Sequence, residues 1–254
     1  MSAAKGSTAV RAQKRRLSDG TPWQRHELFP TPPWATRALC EIVLPRMGET
    51  GSLGSVWEPC AGLGHMSAVL ANYADVRATD IAAYPLSEGG DCDSAGYVQR
   101  ADFFAIEYRP DWIVTNPPFG LAEKMLPRMQ ALARVGVALL LRTQWIETSG
   151  RYRDIFDARP PSLFAPFAER VAMCEGGFDP KCKTATSYAW FVWRRDGGAW
   201  RRQHVSKTFP TMIIEPCRAA LTRPQDSLLA ARCVPGFVPP STLRKTGKNQ
   251  RNLL

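Results

Sequence analysis

The 254-residue sequence has few histidines and no closely paired cysteines. The seven cysteines form no Cys-x-x-Cys pair, and there are only three histidines to join them. Cys174 and Cys182 bracket one loop, but their spacing is not a typical zinc pattern, so we expect no metal site. An odd number of cysteines in a chain without a secretory signal fits a reducing cytoplasm, prokaryotic or phage-like.

The sequence also lacks a long apolar segment. Its longest apolar run, from Val135 to Leu141, is far too short to span a bilayer. The N-terminus carries charge but no apolar stretch of the kind that a secretory signal requires. We therefore expect no membrane partner.

Acidic residues are in deficit, with 23 Asp and Glu against 33 Lys and Arg, a formal net charge of +10. This balance favours polyanionic partners, most simply nucleic acid, although many basic proteins bind none. Residues 1–26 are predicted to be a disordered basic tail, either solvated or a phosphate-binding arm. Residues 196–254 are predicted to be a basic C-terminal extension, partly disordered, that could contact substrate.

Between these ends, residues 27–195 show alternating strand and helix signals. A helix is predicted from Thr31 as N-cap, with Pro32 at its first position, to about residue 44. Strands are predicted at 55–58, 76–80, 97–103, 111–116, 135–142, 170–173 and 188–193, and further helices at 65–73, 121–134 and 151–157. The alternation predicts an α/β fold with a doubly wound, mostly parallel sheet and right-handed crossovers.

A glycine-rich turn, Glu58-Pro59-Cys60-Ala61-Gly62-Leu63-Gly64, joins the first strand to a helix. Its two glycines permit a tight turn and a close approach to a ligand. The turn lacks the Lys-Ser/Thr of a phosphate-binding P-loop and the third glycine of a dinucleotide fingerprint. The acidic residue at its start suits a ligand that carries an ammonium group.

Two carboxylates are predicted at the ends of the next two strands. Asp80 stands where doubly wound folds accept ribose hydroxyls, and Asp102 could accept a hydrogen bond from an adenine amine. Either aspartate alone is more simply a surface turn residue. Together, at the carboxyl edge where ligands bind in open α/β sheets, they indicate a nucleoside-bearing ligand.

The fourth strand ends in Asn116-Pro117-Pro118-Phe119. Neither proline has an N–H, so the ladder stops here, and each proline holds the residue before it extended. A carboxamide and a backbone carbonyl are thereby fixed before an aromatic ring, which suits gripping a planar group that carries an amine. The alternative is a strand exit with an incidental asparagine.

With Phe29-Pro30-Thr31-Pro32 ahead of them, these motifs resemble the class I S-adenosylmethionine-dependent methyltransferases, specifically the adenine-N6 DNA methyltransferases. The resemblance covers about residues 27–195, the expected catalytic domain. It implies transfer of a methyl group from S-adenosylmethionine to the N6 amine of an adenine flipped out of DNA. The implied cofactor-binding residues are Thr31, Pro32, Glu58, Cys60, Gly62, Gly64, Asp80, Ile81, Asp102, Phe103 and Asn116. The implied catalytic residues are Asn116, Pro117, Pro118 and Phe119, with Phe119 stacking on the base.

Further substrate contacts are expected from Trp145, after the fifth strand, and from Lys181 and Lys183 in the loop at 174–187. That loop could close over substrate or be simply solvated. An RNA adenine or guanine amine remains an alternative substrate. A protein glutamine is a further alternative substrate, for which the related family usually has Tyr at the position of Phe119. A role in nucleic-acid binding without catalysis is the remaining alternative.

Overall fold

The fold is that of a computed structural model, which describes residues 27–84, 98–200 and 208–243. The predicted tail at 1–26 and the basic stretches at 201–207 and 244–254 lie outside these residues. None of the described helices is long and apolar enough to cross a membrane.

The described residues form eight strands in one sheet, with short helices on both faces. The strands are β1 Ser55–Glu58, β2 Asp75–Asp80, β3 Gln99–Arg100, β4 Trp112–Thr115, β5 Gly136–Arg142, β6 Leu163–Pro166, β7 Tyr188–Asp196 and β8 Ala199–Trp200. The α-helices are α1 Pro33–Ala38, α2 Leu44–Arg46, α3 His65–Leu70, α4 Ala122–Leu132, α5 Ser149–Arg151, α6 Arg218–Leu221 and α7 Asp226–Ala231. Single turns of 3₁₀- or π-helix cover Leu39–Val43, Phe103–Ala105, Thr143–Ile146 and Tyr152–Phe156.

The strand order is β3-β2-β1-β4-β5-β7-β6, with β8 paired to β7. From β3 to β5 every pair is parallel, whereas β7 runs antiparallel to both β5 and β6. The chain winds outward from β1 in both directions, so the predicted doubly wound, mostly parallel sheet is confirmed.

The central strands are apolar on both faces because helices cover both faces of a parallel sheet. All four residues of β4 are buried. In β5, Ala138 and Leu140 pack into one core, and the alternating Val137, Leu139 and Leu141 pack into the other. The run that was too short to span a membrane is therefore a strand buried on both sides.

The predicted strand at 170–173 is wrong. The strand that pairs with β7 is instead β6, which carries a proline at its end. A proline argues against a central strand, but Pro166 is the last residue of β6, the outermost strand of the sheet, where a proline is tolerated. The third strand is also shorter than predicted, since Phe103 belongs to a 3₁₀ turn that is capped by Asp102.

The first helix begins at Pro33, with Pro32 rather than Thr31 in the N-cap position. The Thr31 hydroxyl instead accepts a hydrogen bond from the side-chain amide of Asn116. The helical path also continues past Pro45 to Arg46, through the π turn and α2. Pro45 stands in the first turn of α2, a position where a proline is tolerated.

The described part of the C-terminal extension packs against the α/β sheet domain. Buried Arg37 in α1 makes a two-pronged ion pair with buried Asp226 in α7, at 2.6 and 2.8 Å. The same guanidinium donates to the carbonyl of Leu221, at 2.8 Å. Ile214 is also buried, and its N–H donates to the carbonyl of Pro166 in β6.

Candidate active site

A cavity of about 450 Å³ opens at the carboxyl ends of β1, β2 and β4. Its volume lies in the range of small-molecule sites, and its place is where open α/β sheets bind ligands. Most of the predicted cofactor residues line it. They are Thr31, Glu58, Cys60, Gly62, Asp80, Ile81, Asp102, Phe103 and Asn116, together with Pro118 from the predicted catalytic set.

The glycine-rich turn forms one wall of this cavity because both glycines adopt left-handed backbone angles. Gly62 has φ of 55° and Gly64 has φ of 76°, which other residues rarely adopt. A Cβ at Gly62 would lie 2.8 Å from the Leu28 side chain. The Gly62 N–H donates to the carboxylate of Asp80 at 2.8 Å, which ties the turn to the end of β2.

Glu58, the last residue of β1, is a buried acid on the cavity wall. It is 2% exposed and accepts a hydrogen bond from the Ser67 hydroxyl, but no basic side chain among the described residues pairs with it. Burial raises the pKa of Glu58 to about 8. A ligand ammonium beside it would supply the missing positive charge and favour the ionised carboxylate.

Asp80 is held rigidly at the cavity edge. One oxygen accepts the Gly62 N–H and the other accepts the Ala82 N–H at 2.9 Å. Its carboxylate is thereby oriented at the cavity edge, at the position where doubly wound folds hold ribose hydroxyls. This geometry suits a neighbouring pair of hydroxyls, as on a ribose.

The outer part of the cavity has an apolar rim beside Asp102. Ile81 and Phe104 are 52% and 48% exposed, which is unusual for large apolar side chains. Asp102 accepts the Phe104 N–H at 2.9 Å, and this cap fixes the turn that carries the ring. The rim suits a planar heterocycle near a carboxylate. Phe104 was not among the predicted residues, since its exposure depends on the 3₁₀ turn.

Asn116 follows β4 directly and has an oriented side chain. Its amide nitrogen donates to the carbonyl of Phe29 at 3.3 Å and to the Thr31 hydroxyl at 3.1 Å, and it lies 3.4 Å from the Met173 sulfur. With the nitrogen occupied in this way, the oxygen is the free end of the carboxamide within the described structure. Asn116 also lines the cavity, so it can offer that oxygen to a donor there.

Phe119 lies just beyond, with Arg142 over its ring. The guanidinium is 3.9 Å from the ring centroid, and the Phe29 ring is 6.0 Å away at a tilt of 41°. The Phe119 N–H donates to Glu27 at 2.8 Å. One face of the expected base platform is thus covered by a cation. Arg142, the last residue of β5, was missed because only the pairing of β4 with β5 brings it beside Phe119.

Several predicted residues do not line the cavity. The residues outside the lining are Pro32, Gly64, Pro117 and Phe119, which lie next to lining residues in the chain. Lys181 and Lys183 are exposed on their loop. The expectation for Trp145 needs correction. Its indole is 6% exposed and packs edge-on against Phe156 and Phe191, because the 3₁₀ turn after β5 directs it into the core rather than towards a base pocket.

His65 is a cavity residue that the sequence did not single out. It is 1% exposed, and its Nε2 lies 2.8 Å from the carbonyl of Leu229 in α7. Burial lowers the pKa of His65 to about 4, so the ring is neutral at ordinary pH, with Nε2–H as the donor. Nδ1 is then an acceptor without a partner among the described residues. In the sequence, its position directly after Gly64, at the start of α3, could have indicated that it lies beside the cavity.

The described residues combine a doubly wound, mostly parallel sheet with the predicted motifs at its carboxyl edge, as expected from the resemblance to the class I S-adenosylmethionine-dependent methyltransferases. No protein-family model and no curated protein sequence matches the chain. Among solved structures, a candidate RNA methyltransferase from Pyrococcus horikoshii is 15% identical over 68% of this chain and 88% of its own, with a TM-score of 0.48. A methyltransferase subunit of a type I restriction-modification system from Streptococcus thermophilus is 8% identical, with a TM-score of 0.48. That match covers 91% of this chain and 54% of the subunit, so the chain spans about half the subunit's length. Magnesium protoporphyrin IX methyltransferase from Synechocystis, with bound S-adenosylmethionine, is 15% identical over 64% of this chain and 80% of its own, with a TM-score of 0.38.

Proposed function

We propose that the protein is an S-adenosylmethionine-dependent methyltransferase that methylates the N6 amine of adenine in DNA. The observation that carries the proposal is the oriented carboxamide of Asn116. Its nitrogen is held by Phe29 and Thr31, and its oxygen is left to accept from a donor beside the cavity.

The cavity walls fit the proposed cofactor, part by part. Glu58 is a buried acid that no cation of the described residues pairs with, which suits the ammonium of the amino-acid end. Asp80 suits the ribose hydroxyls, and the rim of Ile81, Phe104 and Asp102 suits the adenine. When bound, S-adenosylmethionine supplies an electrophilic methyl group.

The remaining chemistry is assigned to the strand exit. An adenine amine is a poor nucleophile because its lone pair is delocalised into the ring. The Asn116 oxygen and the Pro117 carbonyl are proposed to accept hydrogen bonds from its two N–H groups, which localises the lone pair on nitrogen. As the N–C bond forms and the S–C bond breaks, these fixed dipoles stabilise the positive charge on nitrogen. The amine then releases one proton to solvent.

The target base must leave the duplex to reach this pocket. The Phe119 ring is proposed to stack on the extruded base and so offset part of the unstacking cost. One face of that ring already carries the Arg142 guanidinium, 3.9 Å from the centroid. The base would therefore use the opposite face, and Phe119 would lie between the cation and the base.

The test is to incubate the protein with methyl-labelled S-adenosylmethionine and, separately, duplex DNA, total RNA or a protein extract. The polymers are then digested and the labelled product is identified by mass spectrometry. Label in N6-methyladenine from DNA is expected. Label only in an RNA nucleoside or in glutamine would refute DNA as the substrate, and absence of transfer to all three would overturn methyl transfer itself. Asn116→Ala is the matched control, since background methylation by a contaminant would survive it.

A further inference from the structure

Two cysteines and an aspartate converge in a loop next to the candidate active site. The Sγ atoms of Cys174 and Cys182 and a carboxylate oxygen of Asp179 all lie within 4.8 Å of one another. All three side chains are buried, at 6%, 9% and 4% exposure.

The donor set has the chemistry of a zinc-type site. Thiolates select soft or borderline ions such as Zn²⁺ over Mg²⁺ or Ca²⁺. Tetrahedral zinc with bonds of about 2.3 Å to sulfur and 2.0–2.2 Å to oxygen places its ligand atoms roughly 3.5–3.8 Å apart. The observed separations, all within 4.8 Å, would shorten by at most about 1.3 Å to close around such an ion, which side-chain rotation can supply. The fourth position would be open to water.

The carboxylate is oriented by further hydrogen bonds, as metal ligands usually are. One Asp179 oxygen accepts the Lys181 N–H and the Ser241 hydroxyl, both at 2.9 Å. The other accepts the Ser241 N–H at 2.8 Å and keeps a lone pair for a metal. The aspartate therefore already joins the loop to the C-terminal segment.

We propose that Cys174, Asp179 and Cys182 bind one zinc-type divalent ion with a structural role. The inference does not depend on the proposed methyl transfer, because occupancy is measured on the protein itself. Spacing in the sequence gave no indication of it. The site arises because the turn between the two cysteines folds back and brings positions eight residues apart into contact.

The ion would fix a loop that supports the active site. Met173, next to Cys174, lies against the Asn116 amide nitrogen, and the Gly176 N–H donates to the carbonyl of Leu28, a cavity residue. Bound metal would thus hold the loop, the cavity wall and the C-terminal segment in one arrangement. Its removal should lower the thermal midpoint of unfolding as well as the affinity for S-adenosylhomocysteine.

The first experiment measures metal in the unaltered, untagged protein after purification without chelators. We expect about one zinc per chain by mass spectrometry of the elements, as for a single structural site. Replacement by Co²⁺ should give thiolate-to-cobalt absorption in the near ultraviolet and visible bands of tetrahedral cobalt. Protein that contains no metal and takes up neither ion would overturn the proposal. A metal-free protein that is two hydrogens lighter, with two fewer titratable thiols, would assign the pair to a disulfide instead.

The second experiment compares variants. Combined Cys174→Ser and Cys182→Ser should lose the metal and the cobalt spectrum, whereas Cys217→Ser, which alters a buried cysteine in the apolar core, should keep both. Full retention of metal in the double variant would refute these ligands. If the double variant does not fold, the Asp179→Asn variant, which keeps the side chain's shape, should still show weakened cobalt binding relative to Cys217→Ser.

Discussion

Binding of the cofactor is expected to release a proton from Glu58. In the free protein, burial raises the pKa of this acid from 4.5 to about 8, so at pH 7 roughly nine in ten molecules carry the proton. A ligand ammonium beside Glu58 favours the carboxylate, so binding requires that proton to leave. The cost of ionisation is about 1.4 kcal/mol at pH 7 and about 2.7 kcal/mol at pH 6. Affinity should therefore rise about tenfold per pH unit from pH 6 and level off near pH 8.

Isothermal titration calorimetry with S-adenosylhomocysteine measures both consequences, since this product carries the same amino-acid end. Titrations at pH 7 in buffers of different ionisation enthalpy should show release of close to one proton per bound ligand. Glu58→Gln should abolish the pH dependence and weaken binding at pH 8 by about tenfold or more, the scale of a lost charge-assisted hydrogen bond. Glu107→Gln, which alters an exposed acid outside the cavity, is the matched control. Equal affinity at pH 6 and pH 8, without buffer-dependent heat, would refute the assignment of Glu58 to the ammonium.

Three further changes test other parts of the structure. Asn116→Ala should lower methyl transfer by at least about a hundredfold, the scale for one preorganised dipole, while the affinity for S-adenosylhomocysteine falls little. Equal loss of both would mean that Asn116 only shapes the cavity. Phe119→Leu should raise the KM for DNA about five- to a hundredfold, because base stacking contributes about 1–3 kcal/mol. An unchanged KM would remove Phe119 as the base platform. Asp226→Ala should lower the free energy of unfolding by about 3–5 kcal/mol, because it leaves the Arg37 guanidinium buried without its partner. A loss below about 1 kcal/mol, the range of surface pairs, would mean that the pair is hydrated in solution.

Controls for these variants come from exposed positions of the same residue type. Asn72→Ala removes only local hydrogen bonds at the end of α3, so transfer should be unaffected. Asp154→Ala alters an exposed carboxylate, so stability should change by less than about 0.5 kcal/mol. The Asp226 comparison is made by chemical denaturation, with the slope checked for two-state behaviour in every variant.

Much of the fold was predictable because its signals are local. The apolar run of β5, the glycines between β1 and α3, and the Pro-Pro exit from β4 each specify conformation within a few residues. Where prediction failed, a distant partner decided the outcome. Leu163–Pro166 became a strand because β7 lies beside it, although its proline argued against one.

The same division holds for the candidate site. Residue types and chain order were enough to predict that Glu58, Asp80, Asp102 and Asn116 would meet, since parallel strands bring their carboxyl ends to one edge. Tertiary packing alone decided which atoms are available there. It turned Trp145 inward and placed Arg142 over Phe119.

The sheet, the glycine turn and the rigid polar exit of β4 follow from local sequence signals, because periodicity and backbone restriction act over short stretches of chain. The tertiary structure decided the orientation of the Asn116 carboxamide, the neutral state of His65 and the meeting of Cys174 with Cys182. The first two depend on groups far away in the chain, the third depends on how one loop folds back, and burial contributes to all three. Burial and long-range contacts cannot be predicted from a local sequence pattern, because both arise only when the packed elements exclude water.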